Sequence, residues 1–567
     1  MPVLTLETRA KWRTLLDSQT LLMPDERPAI IYLETEKAPI TITRSQFVGE
    51  VIRCAAALQA VGIRARDLVI IAHIQNLESI YAFWGALWLG AVPSMFPTLT
   101  EKLDPDLYMD SMAELTRNSE AKAVLTTDAF APELAKRCPC PVYGSSDWLP
   151  GCGDQTENTN MMLRRPKPDE IAFLQHSSGT TGLQKGVALS HQAVLNQLAS
   201  YASALKLSEQ DVIVSWLPLY HDMGLIAGFI QPIVQGIPLV LMSPFDWVQH
   251  PALLLRAIHE YRATLCWLPN FAYNHLARRV RSRDSEGLDL SSIRAFINCS
   301  EPVRNSSHQL FLERFAANGV NASQLGVSYA MAENTFAVTQ TMVGESANID
   351  MIDLDALQRD LKAAPAVANT PHVAAQVSCG KPIANTAIKI IDDQGGVLPE
   401  RSVGEVLVKS DCMLTGYYRR PDLQAFDADG WYRTGDRGYI AGGEIYIVGR
   451  SKDLIITAGK NVYPQDIEAA AYEVEGIHQG RAVVFGIPDE REGTELIAIV
   501  AEVDETDEEA RKTIYQTLRQ QVARATEVTV SYVSLVGRGW LIKTSSGKTA
   551  RGANREKWLA ERAEGLL

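Results

Sequence analysis

Ten consecutive residues, Ser177-Ser178-Gly179-Thr180-Thr181-Gly182-Leu183-Gln184-Lys185-Gly186, combine three glycines, four hydroxyls and one lysine. Glycines let backbone N–H groups approach a phosphate closely, and hydroxyls add donors. Lys185 supplies a point charge. The spacing is not Gly-x-x-x-x-Gly-Lys-Ser/Thr, so this is a phosphate loop of another kind, or a flexible polar turn. Four further groups follow in order. Tyr329 in Ser328-Tyr329-Ala330-Met331-Ala332-Glu333 offers a face for stacking on a base. Glu333 is a carboxylate of the kind that holds Mg2+ beside phosphates. Asp436 in Trp431-Tyr432-Arg433-Thr434-Gly435-Asp436 has the acceptors that ribose hydroxyls need. Lys548 follows a glycine in Lys543-Thr544-Ser545-Ser546-Gly547-Lys548. Singly, each has an ordinary use: a core tyrosine, a solvated helix glutamate, a turn aspartate, a surface lysine. Their order along one chain makes four such coincidences improbable.

The elements that must position these groups are legible in outline. An apolar run at 170–174 leads into the glycine loop as a strand. Ser190 is placed to cap a helix that follows. Segments 45–61 and 77–89 have helical spacing, and 67–72 and 123–126 read as strands. This alternation predicts α/β layers. Two uncharged stretches, 79–100 and 224–245, are broken by prolines and glycines, which predicts buried helix followed by buried strand, not a membrane span. Segment 353–369 is alanine-rich and charged, and reads as an inserted, partly mobile piece. Near Arg450 the pattern changes to a compact mixed unit, with a helix from Pro464, strands at 481–485 and 496–503, and a helix over 507–522. Two domains are therefore expected, 1–450 and 451–567.

The chain has 567 residues and a formal charge of −13, which argues against non-specific nucleic-acid binding. Its eight cysteines lie singly except for Cys138-Pro139-Cys140, which is not zinc spacing. Reduced thiols, a cytoplasmic location and no signal peptide are the expectation.

As an ordered set, the motifs resemble those of the adenylate-forming superfamily of acyl-CoA synthetases, peptide-synthetase adenylation domains and luciferases, over roughly residues 41–555. The resemblance implies a large α/β domain of two helix-flanked sheets and a distorted barrel, plus a small mobile α+β C-terminal domain. It implies activation of a carboxylate by ATP to an acyl-adenylate, with Mg2+, and capture of the acyl group by a thiol. Carried onto this chain, Ser177, Ser178, Gly179, Thr180, Thr181, Gly182 and Lys185 would hold pyrophosphate, and Thr181 would join Glu333 at the metal. Ser300, Glu301 and Pro302 would lie beside adenine, with Tyr329 and Ala330. Asp436 and Arg450 would hold ribose. Lys452 would be the hinge. Lys548 would bridge carboxylate and α-phosphate, and His221 would stand at the mouth of the acyl pocket. The loop departs from the family at Gln184, where proline is usual, and Ala330 stands where glycine is common.

Three features resemble fatty acyl-AMP ligases: the run from Ser215 to Leu225, the motif Asn461-Val462-Tyr463-Pro464-Gln465-Asp466-Ile467-Glu468, and the long gap between Glu333 and Ser378. That branch implies transfer to the phosphopantetheine arm of an acyl carrier protein. Segments 73–76 and 97–100 fit it less well, so transfer to CoA is the alternative, and a non-catalytic binding homologue the third. Trp267-Leu268-Pro269-Asn270-Phe271-Ala272-Tyr273 is expected to line an apolar pocket for an aliphatic or aryl acid. Arg551, Arg555, Lys557 and Arg562 are candidates for meeting an acidic carrier, or a solvated helix face.

Overall fold

Strands that are buried at every position, such as Leu68–Ile71, Leu239–Met242 and Leu265–Leu268, need cover on both faces. That is the condition for parallel sheets between helices. The computed structural model describes residues 4–99, 105–149, 165–176, 185–457, 460–489, 494–544 and 547–564, with the Leu107 side chain left aside. It contains two large sheets. One has nine strands in the order Lys381–Pro382, Ala337–Gln340, Leu325–Ala330, Ala295–Asn298, Leu265–Leu268, Ile213–Ser215, Leu239–Met242, Pro28–Leu33 and Ile40–Thr43. Its six central strands run parallel. The other has seven strands, with Gly186–Ser190 antiparallel to Ile171–His176 on the two sides of the glycine loop.

Between these sheets lies an aromatic chain. Phe83 on helix Leu77–Leu89 meets Phe173 of the seven-stranded sheet at 5.7 Å. It also meets Phe229 at 5.9 Å, and Phe229 meets Trp84 at 6.3 Å. Each ring is fully buried, which stabilises by about 2–3 kcal/mol per side chain. Helices Arg44–Ala60 and Leu77–Leu89 close on each other where Gly85 leaves room. A Cβ there would stand 2.8 Å from Cys54 Sγ and 3.1 Å from the Ala55 backbone nitrogen.

The two uncharged stretches resolve as expected into Leu77–Leu89 followed by Val92–Met95, and Met223–Ile230 and Gln231–Gln235 followed by Leu239–Met242. Met223–Ile230 is a π-helix, wider than an α-helix. Among the described residues no helix is long and apolar enough to cross a membrane.

A four-stranded antiparallel sheet follows, Thr386–Ile391, Gly404–Ser410, Tyr432–Ala441 and Glu444–Arg450. Its last strand is extended by hydrogen bonds between Ile445 and the backbone of Cys379 and Gly380, 2.8 and 3.1 Å. The next residues, Lys381–Pro382, pair with the nine-stranded sheet. This junction sets the small sheet against the end of the large one. Segment 353–369 is not the loose piece its composition suggested. Asp353 caps helix Leu354–Asp360, between hairpin strands Ile349–Asp353 and Val373–Val377, and Ile352, Leu357 and Ala363 are buried.

Past Asp453 the chain builds its own cores. Strands Ala482–Asp489, Thr494–Glu502 and Tyr532–Val536 form one sheet, packed by helices Pro464–Ala471, Glu508–Thr526 and Arg551–Ala563. Tyr463 instead is buried against Tyr439, Tyr446 and Val448 of the preceding sheet, and Leu454 packs on the same cluster.

Candidate active site

The candidate residues come from four strands, or the turns just after them, that meet at one place. Strands Ala295–Asn298 and Leu325–Ala330 are parallel neighbours, and their C-terminal ends carry Ser300 and Tyr329. Ligands of open α/β sheets bind at such strand ends. Asp436 and Arg450 are direct antiparallel partners. Arg450 Nε donates to Asp436 Oδ1 at 3.1 Å. The Tyr329 hydroxyl donates to the other oxygen, Oδ2, at 2.5 Å. Asp436 raises the pKa of the Arg450 guanidinium. Burial first, then Asp436, pushes the Tyr329 phenol well above its ordinary value. The three groups form one charged, hydrogen-bonded unit.

Tyr329 and Glu333, four residues apart, do not share a helical turn. Tyr329 belongs to a strand and Glu333 to the short 3-10 turn Ala332–Asn334, because the chain turns back into Ala337–Gln340. Glu333 still reaches the site. Its Oε1 accepts from the Tyr417 hydroxyl at 3.2 Å, and Tyr417 meets the Tyr432 hydroxyl at 3.2 Å. Lys185 lies over the Tyr417 ring, 5.1 Å from its centre. Lys185 is thereby brought to the tyrosine that holds Glu333. Ser177, Ser178, Gly179, Thr180, Thr181 and Gly182 lie outside the described residues.

Lys548 reaches across from the C-terminal unit. Its Nζ donates to the Ser300 carbonyl at 2.9 Å. Ser300 has φ +69, a left-handed conformation uncommon for a residue with a side chain. Such strain gathers where surrounding structure over-determines the backbone. The adjacent Glu301 accepts from the Phe271 N–H at 2.9 Å, and burial raises its carboxyl pKa. Pro302 ends this turn. Burial, with Lys548 adding to it, lowers His221 to about 3, so the imidazole is neutral at neutral pH. Its Nε2 is buried and has no hydrogen-bond partner among the described residues. Burial likewise raises the carboxyl pKa of neighbouring Asp222, which accepts from the Met223 N–H at 2.8 Å.

Several expectations change. Trp267 and Tyr273 do not line a pocket. Trp267 donates to the Tyr201 hydroxyl at 2.8 Å, and Tyr273 packs on His308 and Phe311, all in the core. Phe271 alone of those aromatics faces out, 39 % exposed. It stands edge-on to Trp216 and Trp247, which stack face to face at 3.6 Å. The C-terminal cations are also committed internally. Arg551 pairs with Glu468 at 2.7 Å, and Arg555 donates to the Gly486 carbonyl. Lys557 lies over Trp540, and Arg562 over Tyr532.

Sequence reasoning missed Gln75, which bonds Leu217 and Leu219 at 3.2 and 3.0 Å and fixes the approach to His221. It also missed Arg304, which pairs with Asp466 at 3.1 Å. The available signal was a charged residue two positions past Pro302. A group of possible metal ligands, Asp355, His372 and Glu527, lies apart from Glu333. The two ring nitrogens of His372 each face a different carboxylate, Asp355 at 3.2 Å and Glu527 at 2.6 Å. The close contact with Glu527 ties the 349–377 segment to the C-terminal unit.

Two large sheets, a small antiparallel sheet at their end and a separate C-terminal unit reaching back with a lysine are the architecture of adenylate-forming enzymes. The chain belongs to the AMP-binding enzyme family, whose description matches residues 18–418. A Caulobacter vibrioides protein that carries the name acyl-CoA synthetase is 30 % identical over 521 residues, 90 % of this chain and 89 % of its own. A medium-chain-fatty-acid acyl-carrier-protein ligase of Moorena producens is 30 % identical over 560 residues, 94 % of this chain and 92 % of its own. Among solved structures, one from work on fatty acyl-adenylate ligases of E. coli and L. pneumophila has a TM-score of 0.89 at 27 % identity, covering 98 % of this chain and 99 % of that one. The chain is a ligase that activates an acyl group as its adenylate.

Proposed function

We propose that this enzyme activates a fatty or other apolar carboxylic acid and passes the acyl group to the phosphopantetheine thiol of an acyl carrier protein. The observation that carries the first half is the reach of Lys548 to Ser300, beside Tyr329, Asp436 and Arg450. In the activation, a carboxylate oxygen bonds to the α-phosphorus of ATP, and the bond to the bridging oxygen breaks, releasing pyrophosphate. Little covalent help is needed; alignment and charge neutralisation do most of the work. Asp436 accepts from ribose hydroxyls at Oδ2, the oxygen it shares with the Tyr329 hydroxyl, while Arg450 holds Oδ1. Tyr329 offers its ring to adenine, flanked by Ala330 and the Ser300-Glu301-Pro302 turn. Lys548 shifts from the Ser300 carbonyl to the carboxylate and the α-phosphate. Neutral His221 offers its unpartnered Nε2 to the acid without adding charge.

Glu333 is a hard oxygen donor beside Lys185 and suits Mg2+, which takes few protein ligands and bridges phosphates. A magnesium ion there would offset phosphate charge. Thr181 and the remaining loop hydroxyls are the other groups proposed for pyrophosphate and metal. Residues 1–450 and 451–567 are taken as the two moving parts, with Lys452 as the hinge.

Carrier protein is preferred to CoA because segment 349–377 is fastened to the C-terminal unit. The Gln358 amide donates to the Thr526 carbonyl at 3.2 Å, and Asn461 donates to the Gln358 carbonyl at 2.9 Å. His372 adds its contact to Glu527. Such fastening restrains the rearrangement that CoA would require. The Moorena relative's name agrees with this acceptor, and the Caulobacter relative's name favours CoA. A panel of carboxylates with mass detection of acyl-adenylate identifies the acid. Equal concentrations of CoA and a holo-carrier protein from the same genome then compete for it. Carrier loading with little acyl-CoA is expected; rapid acyl-CoA formation with no loading assigns the enzyme to CoA.

A further inference from the structure

Arg304 stands four residues past Ser300, immediately before helix Asn305–Phe315. Its base is fixed in the large domain. The Arg304 N–H donates to Asn270 Oδ1 at 3.1 Å. Asn270 is held in turn by Asn298 Nδ2 at 3.1 Å and by its own bond to Ser307 Oγ at 3.1 Å. The guanidinium leaves this framework. Nη1 lies 3.1 Å from Asp466 Oδ1, and Nη2 donates to the Gln465 carbonyl at 2.9 Å. Both acceptors sit in the first turn of helix Pro464–Ala471. One arginine therefore grips a carboxylate and a carbonyl together, which fixes orientation as well as distance.

The same helix leads back to the lysine. Glu468, two residues past Asp466, accepts from the Val484 N–H at 3.0 Å and pairs with Arg551 at 2.7 Å. Arg551 opens the last helix, three residues after Lys548. Lys548 Nζ closes the circuit on the Ser300 carbonyl. The short stretch 300–304 of the large domain is thus held at both ends by the small one. We infer that Arg304 is a positioning residue: its grip on Asp466 and Gln465 orients the small domain so that Lys548 reaches Ser300. Releasing that grip precedes any arrangement that turns another face of the small domain inward. The inference rests on the two half-reactions proposed above.

The Arg304 and Asp466 side chains are 31 % and 30 % exposed. A pair so open to water contributes little to folding. An equilibrium between two domain placements responds to the same small difference, because only the differential interaction matters there.

The test reads the reactivity of Lys548 toward an amine-acylating reagent in the full chain without substrate, by peptide mass spectrometry. Arg304→Gln is expected to raise that rate roughly fivefold, the scale of one exposed ion pair. Asp466→Asn is expected to match it, the double variant to add nothing, and Arg304→Lys to fall between. Exchanging the charges, Arg304→Asp with Asp466→Arg, should restore slow modification. Unchanged thermal midpoints separate this from unfolding. Once a substrate acid is known, single-turnover adenylate formation should fall severalfold in Arg304→Gln, while thiol capture from supplied adenylate should not. Unchanged Lys548 reactivity in both single variants, or effects that multiply in the double variant, would overturn the inference. If Lys548 responds as expected but the wild-type chain forms no adenylate with any acid, the positioning role stands and the proposed reaction fails.

Discussion

At the scale of single residues, the site is a set of charges whose neighbours decide their use. Lys548 donates to a carbonyl held by a strained serine, which keeps its charge at the candidate site from which the proposed shift to substrate would start. Lys548→Ala should therefore cut adenylate formation by about two to three decades, the usual cost of removing one preorganised donor. Single-turnover kinetics measure this, and a loss under roughly threefold would remove the lysine from that role. Glu333 is held by Tyr417, whose phenol is pushed up to about 12 mainly by burial and stays a donor. Glu333→Gln should move the Mg2+ dependence of activity to higher concentration without changing the unfolding midpoint. An unmoved magnesium titration would contradict the assignment. The residue types Lys548, Glu333, Asp436 and Arg450 were legible because their chemistry shows in their names and their order is unusual. Arg304 and Gln75 were not, because each acts through partners distant in sequence, 162 residues on at Asp466 and 142 residues on at Leu217. Tyr329 was legible as a ring, but its strand setting was not, since its spacing from Glu333 suits either a helix turn or a strand and hairpin.

At the scale of elements, the sequence pattern served where one force dominates. Helices 44–60 and 77–89 and the buried strands follow from apolar runs and capping residues such as Thr43 and Asn76. Segment 353–369 was misjudged because alanine and charge suggest exposure, whereas its few apolar residues are gathered on one face by the hairpin. Trp267 and Tyr273 were misjudged for the converse reason: aromatic composition does not distinguish a pocket wall from a core. The contact between the two long helices can be tested directly. Gly85→Ala gains about 1 kcal/mol in helix propensity. It also forces a methyl against Cys54 Sγ and the Ala55 backbone, and overpacking of this kind costs about 1–3 kcal/mol. Since backbone cannot step aside cheaply, net destabilisation of about 1 kcal/mol is expected in denaturant unfolding. A variant more stable than wild type would mean that the helices part without strain.

At the scale of the whole molecule, acid should loosen the large domain before it dissolves the active site. His191 and His308 are both buried, and both accept an N–H, from Leu15 at 3.2 Å and from Asn298 at 3.0 Å. Burial lowers each from 6.5 to about 4. The unfolded chain therefore takes up these protons first. Stability is fully present above about pH 7 and is lost as pH falls from about 6.5 toward 4, by on the order of 3 kcal/mol per histidine at the limit. Urea unfolding at pH 7 and pH 5 measures the difference, and His191→Gln should flatten part of it. An equal slope in that variant would move the effect elsewhere.

The stacked indoles of Trp216 and Trp247 carry a consequence of another kind. Rings 3.6 Å apart and within 7° of parallel share their excited states. They should give the protein a paired band in circular dichroism that no isolated tryptophan produces. Phe271 stands edge-on to both rings, and its N–H is held by Glu301, next to the carbonyl that Lys548 grips. The chromophore is thus wired to the turn where the proposed activation would take place. Trp216→Phe should abolish the band, and a bound acid together with ATP should alter it in the wild-type chain. If so, the enzyme carries its own optical gauge, and the search for its substrate can be run by spectrum, without a label and before any product is known.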